Sequence, residues 1–206
     1  MSKYGKTLWV LAMLMATAAT SLAQDSTKAN TLFGNRKGQG RQPLGFFVAP
    51  GYQTKAIDGS ASHLLLVRAG ITLGNQWSIG GYFNTSLGEI RPKNETAPNT
   101  YLDYRSYGGF VEYTAWAKKM VHLSFPVLVG VGEIELDNEA GAANFGEANF
   151  FKVEPSALLE VNLHKHIRLQ LGAGYRFVSN VQYRHLTQAD LSGLVGHAAL
   201  KFGLFR

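Results

Sequence analysis

The residues of this chain with most chemistry to offer are Glu112, Glu154, Glu160, Arg68, Arg168, Arg176, His197 and Lys201. Carboxylates in pairs are the raw material of general acid and base catalysis. Carboxylates interleaved with arginine and lysine are also the raw material of an ion-pair network, and the alternation around them decides for the network. A second arrangement is His122-Leu123-Ser124, which sets a histidine and a serine on one face of a strand. A serine nucleophile needs a base that is itself held by a third group, and no acid can be assigned to that role from the sequence. His63, His164, His166 and His185 lack metal-ligand spacing, and no cysteine occurs, which removes thiol chemistry, disulfides and cysteine metal sites. The glycines fall in strands and turns, not in a phosphate-binding loop. The sequence therefore points to no catalytic residue, no cofactor and no metal.

The segment that must position most of the charges runs from 152 to 178. One face of it carries Val153, Pro155, Ala157, Leu159, Val161 and Leu163, then Ile167, Leu169, Leu171, Ala173, Tyr175 and Phe177. The other carries Lys152, Glu154, Ser156, Leu158, Glu160 and Asn162, then Arg168, Gln170, Gly172, Gly174, Arg176 and Val178, polar or tiny almost everywhere. Period two is the signature of strands. A turn at His164, Lys165 and His166 that sets Leu163 opposite Ile167 also sets Glu154 opposite Arg176, and Glu160 opposite Gln170 and diagonal to Arg168. Both arginines then have a carboxylate within cross-strand reach.

The chain opens with Lys3 and Lys6, an apolar run from Leu8 to about Ala19, and Ser21-Leu22-Ala23, the pattern of a secretory signal cleaved before Gln24. The run is shorter than the roughly 20 residues of a membrane-spanning helix. Residues 24–42 are polar and aperiodic and read as a flexible lead-in, and 43–206 has the size of one domain. The signal removes two of the 20 basic residues against 14 acidic ones, leaving a mild positive excess with no basic cluster interleaved with aromatics. Nucleic acid is not an expected partner.

Eight strand candidates lie at 44–54, 62–73, 77–87, 101–114, 121–134, 152–163, 167–178 and 194–205. Each is long enough for the roughly 9 to 11 residues with which a tilted strand crosses a bilayer. Short links at 74–76, 115–120 and 164–166 alternate with long ones at 53–61, 88–100, 137–151 and 179–193. An up-and-down antiparallel barrel with four long loops at one end is what such alternation produces. Leu65, Val67, Ala69, Ile71 and Leu73 back onto Leu66, Arg68, Gly70 and Thr72, and Val121, Leu123, Phe125, Val127, Val129 and Val131 onto His122, Ser124, Pro126, Leu128, Gly130 and Gly132. The bulky apolar set is too large for the inside of an eight-stranded barrel. It faces lipid instead, and the charges fill the lumen, since an arginine on the lipid side costs roughly 2 to 4 kcal/mol near the midplane. Two prolines inside strands, Pro126 and Pro155, predict bulges. Asp103 and Arg105 share a parity with lipid-facing Tyr107, so their strand either projects beyond the membrane or bulges near Ser106.

Val153-Glu154-Pro155, Leu159-Glu160-Val161-Asn162, Gly174-Tyr175-Arg176, Asp190-Leu191-Ser192-Gly193 and the ending Lys201-Phe202-Gly203-Leu204-Phe205 together resemble a group of small, porin-like outer-membrane barrels of Gram-negative bacteria, broadly of the OmpA/OmpX type. The resemblance spans about Pro43 to Arg206. It implies an all-β, eight-stranded transmembrane barrel in the outer membrane, surrounded by outer-membrane lipid and lipopolysaccharide. It further implies that the aromatic at the end, here Phe205 followed by Arg206, is a signal to the barrel-assembly machinery. An extracellular partner would meet the long loops, with 88–100 and 179–193 (Tyr183, Arg184, His185) as candidates. The expected function is a structural or surface-interaction barrel with a packed interior. The His122/Ser124 spacing resembles the pair of outer-membrane lipid A deacylases, which makes a lipid-modifying enzyme one alternative, and a narrow pore is the other.

Overall fold

The computed structural model describes residues 44–57, 60–74, 76–88, 90, 100–138, 147–179, 181–183 and 186–205. The signal and the lead-in, most of the 88–100 loop, and Arg184 and His185 lie outside the described residues. Eight long strands form the wall: β1 (Leu44–Ile57), β2 (Ser60–Leu73), β3 (Trp77–Ser86), β4 (Thr100–Ala115), β5 (Val121–Asn138), β6 (Glu147–His164), β7 (Ile167–Ser179) and β10 (Gly193–Gly203). Between β7 and β10 lie the two-residue strands β8 (Gln182–Tyr183) and β9 (Leu186–Thr187) and the short helix α1 (Gln188–Leu191). The sheet closes in the order β1-β10-β7-β6-β5-β4-β3-β2, every neighbouring pair antiparallel.

Closure requires stagger. The register runs from Leu44 through Leu73, Trp77 and Tyr113 to Phe125, then across the proline gap to Ala157, Ala173 and Gly196, and returns to β1 at Thr54, ten residues along. Strand number and stagger together set tilt and width. Eight strands leave a bore that side chains can fill.

Alternation sorts the side chains. Trp77, Ile79, Phe83, Val111, Val127, Val129, Leu159, Leu171 and Phe202 are exposed on the outside, while Arg68, Glu112, Glu154, Arg176 and Lys201 are buried inside. A soluble monomer does not expose a continuous apolar band of this extent. Rings gather toward both rims, with Trp77 against Tyr113 at the turn end and Tyr175 against Phe177 nearer the loops.

Several expectations are corrected. Neither proline makes a bulge. The β5–β6 register is the same on both sides of Pro126, from Ser124↔Leu158 to Val127↔Pro155, and the β6–β7 register is the same on both sides of Pro155, from Val153↔Phe177 to Ser156↔Gly174. Each proline interrupts the pairing over two positions, Phe125–Pro126 in one ladder and Glu154–Pro155 in the other, and the rungs around the gap hold the register. The shift falls instead in the β6–β7 turn, between Asn162 and His164, so that His164 and not Leu163 pairs with Ile167. No bulge occurs at Ser106; Asn84↔Ser106 and Ser106↔Gly132 continue the ladders on either side.

The first of the four expected long loops is a tight hairpin, because β1 and β2 remain paired to Ile57↔Ser60. The sequence carried the signal: Asp58-Gly59 is a favoured two-residue hairpin dipeptide. β5 and β6 also reach further than anticipated, to Asn138 and from Glu147, so the wall β4–β5–β6 extends well beyond the apolar band.

In that extension the alternation serves a second core. Ile57, Leu64, Leu102, Tyr104, Ile134, Phe150 and Val178 point inward and pack with Ile90, Val181, Leu186 and Leu191 from the loops. The last link folds over this core. Thr187 and Asp190 close a capping box at the start of α1, Ser192 Oγ accepts the Val178 N–H of β7 at 3.1 Å, and Lys55 Nζ donates to the Asp190 carbonyl at 3.2 Å.

Candidate functional site

Each interior strand position delivers one side chain to the lumen, so polar residues two apart stack along the bore and those on neighbouring strands meet across it. Two networks result.

The first lies toward the turns. His122 is the second residue of β5 and stands directly across from Glu160 on β6. Its Nε2 meets Glu160 Oε1 at 2.8 Å, and its Nδ1 meets the Lys119 carbonyl at 3.1 Å. Arg168 Nη1 donates to the same Glu160 oxygen at 2.7 Å, while Gln170 donates to Glu160 Oε2. Arg68 Nη2 donates to Gln170 Oε1 at 2.5 Å and its Nη1 to Glu112 at 2.9 Å. Lys201 donates to Glu112 and lies 3.5 Å from Glu160, which completes a ring through five strands. Phe205 packs beneath, with the Arg168 guanidinium 3.7 Å from its ring centre.

The second network centres on Glu154. Its Oε1 accepts from Gln53 Nε2 at 2.6 Å and its Oε2 from Arg176 Nε at 2.6 Å. Arg176 Nη2 donates to Gln53 Oε1 at 3.0 Å, which also takes Asn84 Nδ2 at 2.5 Å. His197 Nε2 stands 3.5 Å from Glu154 and 3.3 Å from Ser156 Oγ. Lys152 Nζ is 3.6 Å from Glu154 Oε2. A buried apolar cluster of Phe47, Ala49, Leu66, Tyr82, Phe110 and Leu128 touches both networks, with Lys201 Nζ 4.2 Å from the Phe47 ring centre and Lys152 Nζ 4.5 Å from that of Tyr82.

All eight ionisable residues singled out in the sequence are thus buried in the bore. Arg68, Glu112, Glu160, Arg168 and Lys201 come together in the first network, and Glu154, Arg176 and His197 in the second. Sequence reasoning missed Lys152, Gln53, Asn84, Gln170 and His122 as members. Parity already put Lys152 and Gln170 on the polar face, but cross-barrel partners separated by a hundred residues leave no local signal.

The arrangement suits cohesion more than turnover. Each carboxylate is met by several donors. Ser124 Oγ has no hydrogen-bond partner, and both His122 nitrogens are engaged by acceptors, so no base stands ready to take a proton from that serine.

Closed eight-stranded topology, an apolar exterior and a polar, ion-paired bore occur together in one class of architecture. This is an eight-stranded barrel of the outer-membrane type. No protein-family model matches the chain, and no curated protein does. Among solved structures it is similar to Neisserial surface protein A, at 12% identity and a TM-score of 0.52, over 78% of this chain and 96% of that one. It also aligns with Ail, the attachment invasion locus protein of Yersinia pestis, at 13% identity and a TM-score of 0.45, over 78% of this chain and 96% of that one. The outer membrane protein OprG from Pseudomonas aeruginosa aligns at 6% identity and a TM-score of 0.49, over 81% and 98%. At such identities the likeness to Neisserial surface protein A is one of fold, so what the barrel does rests on its own side chains.

Proposed function

We propose that this barrel is a closed structural and surface-interaction protein of the outer membrane, which works through the strand extension and loops at its loop end and passes no solute. The observation that carries this reading is the filling of the bore: two ion-pair networks, an apolar cluster packed against both, and an apolar core at the loop end. A conduit needs a continuous wet path, and buried leucine, isoleucine and phenylalanine side chains interrupt one. The loop end then faces outward, and the outer wall of the extension, where Arg105 and Glu133 lie 3.8 Å apart, offers a polar, hydrated surface to a partner. Outer-membrane lipid and lipopolysaccharide surround the apolar band, and the barrel-assembly machinery inserts the chain.

A lipid hydrolase is the weaker reading, because Ser124 is not bonded to His122 and the one serine described within hydrogen-bond reach of a histidine, Ser156 at 3.3 Å from His197 Nε2, is buried with it in the bore, away from the lipid. Conductance of the purified protein in planar bilayers tests the proposal. A flat baseline is expected, and a stable unitary conductance overturns it. Heat-modifiable mobility of the protein in the outer-membrane fraction tests the location; recovery from the soluble periplasm rejects it.

A further inference from the structure

The two networks are not equally complete. In the turn-end ring Arg68, Arg168 and Lys201 each donate to a carboxylate, and Arg68 Nε alone of their donors is buried without a partner. Around Glu154 more is left over, three donors and one acceptor, Asn84 Oδ1. Its Oε2 is taken by Arg176 Nε at 2.6 Å, and Lys152 Nζ, at 3.6 Å from the same oxygen, makes no hydrogen bond at all. Arg176 Nη1 and the Tyr82 hydroxyl are likewise without partners. Lys152 and Arg176 are 0% exposed and Tyr82 5%.

These groups are neighbours by register. Tyr82, Gly108, Gly130 and Lys152 follow one another on a single row across β3, β4, β5 and β6. With no side chains at the two glycines, the phenol of Tyr82 lies across them, and a Cβ on Gly130 would come within 2.5 Å of its hydroxyl oxygen. Lys152 Nζ stands 4.5 Å from the centre of that ring, and Arg176 is tied to Lys152 through the shared Glu154 oxygen.

We propose that the loop-end half of the bore binds a small monovalent anion, chloride in kind, held by Lys152 Nζ, Arg176 Nη1 and the Tyr82 hydroxyl. The chemistry is that of acceptors and charge. Two cations face one carboxylate, and three buried donors lack an acceptor, a deficit that folded proteins avoid. Water would accept from the donors but leave the charge uncompensated, whereas one halide does both. Lys152 and Arg176 are fully buried, so the ligand lies inside the closed bore and out of contact with bulk water. The inference concerns the interior alone and stands whether or not a partner binds the loops.

Bromide is the probe. Crystals of the detergent-solubilised protein grown in sodium bromide should show an anomalous peak in contact with Lys152 Nζ and Arg176 Nη1; ordered water alone at that place overturns the proposal. Thermal unfolding in detergent gives a second readout. The wild type should unfold at higher temperature in chloride than in gluconate at equal ionic strength, and equal temperatures in the two salts overturn it. Lys152→Met should abolish that difference while remaining heat-modifiable, and a retained difference overturns it as well. If the variant does not fold, the two wild-type measurements decide alone.

Discussion

Along β5, Phe125, Val127 and Val129 face outward and His122 and Ser124 inward; a few residues later Ile134 is buried inside the barrel and Glu133 and Glu135 lie on its outer wall. The same reversal occurs on β4, between outward Tyr107 and Val111 near the middle and inward Leu102 and Tyr104 at the loop end. One hydrogen-bonded ladder runs through both regions without a slip. What changes is the solvent outside. Where the wall meets hydrocarbon, apolar side chains face out and charges must neutralise one another in the bore. Where it meets water, the ordinary rule returns, with an apolar core and a charged surface. The site of reversal marks the bilayer boundary.

Four substitutions separate the two regimes, and the largest effect is expected at the turn-end network. Glu160→Ala removes the group that holds His122, Arg168 and Gln170 and leaves buried cations short of a partner. Unfolding in urea from lipid vesicles should show a loss of about 3 to 5 kcal/mol. In the extension Ile134→Ala empties part of the apolar core, at a cost of roughly 2 to 5 kcal/mol. Hydrogen exchange should localise that loss to the loop end, and faster exchange at the turn-end rungs would show that the two regions are one cooperative unit. Val127→Arg places a charge on the lipid face and should cost about 2 to 4 kcal/mol by the same urea assay. Arg105→Leu, on the water-facing part of the wall, should change stability by no more than about 0.5 kcal/mol. A cost at Arg105 as large as that at Val127 would move the boundary.

Much of this molecule is readable locally. Period two needs no knowledge of partners, so the alternation of Val153 to Phe177 exposed the strands, and the inward parity of Arg68, Glu112 and Lys201 followed. Other features were not readable. Pro126 and Pro155 suggested bulges because a proline forfeits a rung, and only the ladder around them shows that a two-residue gap is tolerated without a slip. Asp58-Gly59 was a legible hairpin signal obscured by the aperiodic residues beside it.

By itself, then, the sequence determined the number of crossing strands, the side each residue takes and the excess of apolar surface that no eight-stranded bore could hold. These are properties of a residue and its second neighbours, set by the pleat of the backbone. The tertiary structure alone decided the ten-residue stagger, the closure of Glu112, Lys201, Glu160, Gln170 and Arg68 into a ring, the reach of Tyr82 over two glycines to Lys152, and the height at which the wall turns from lipid to water. Those depend on which residues from distant strands share a level in the closed barrel, and no local pattern encodes that level.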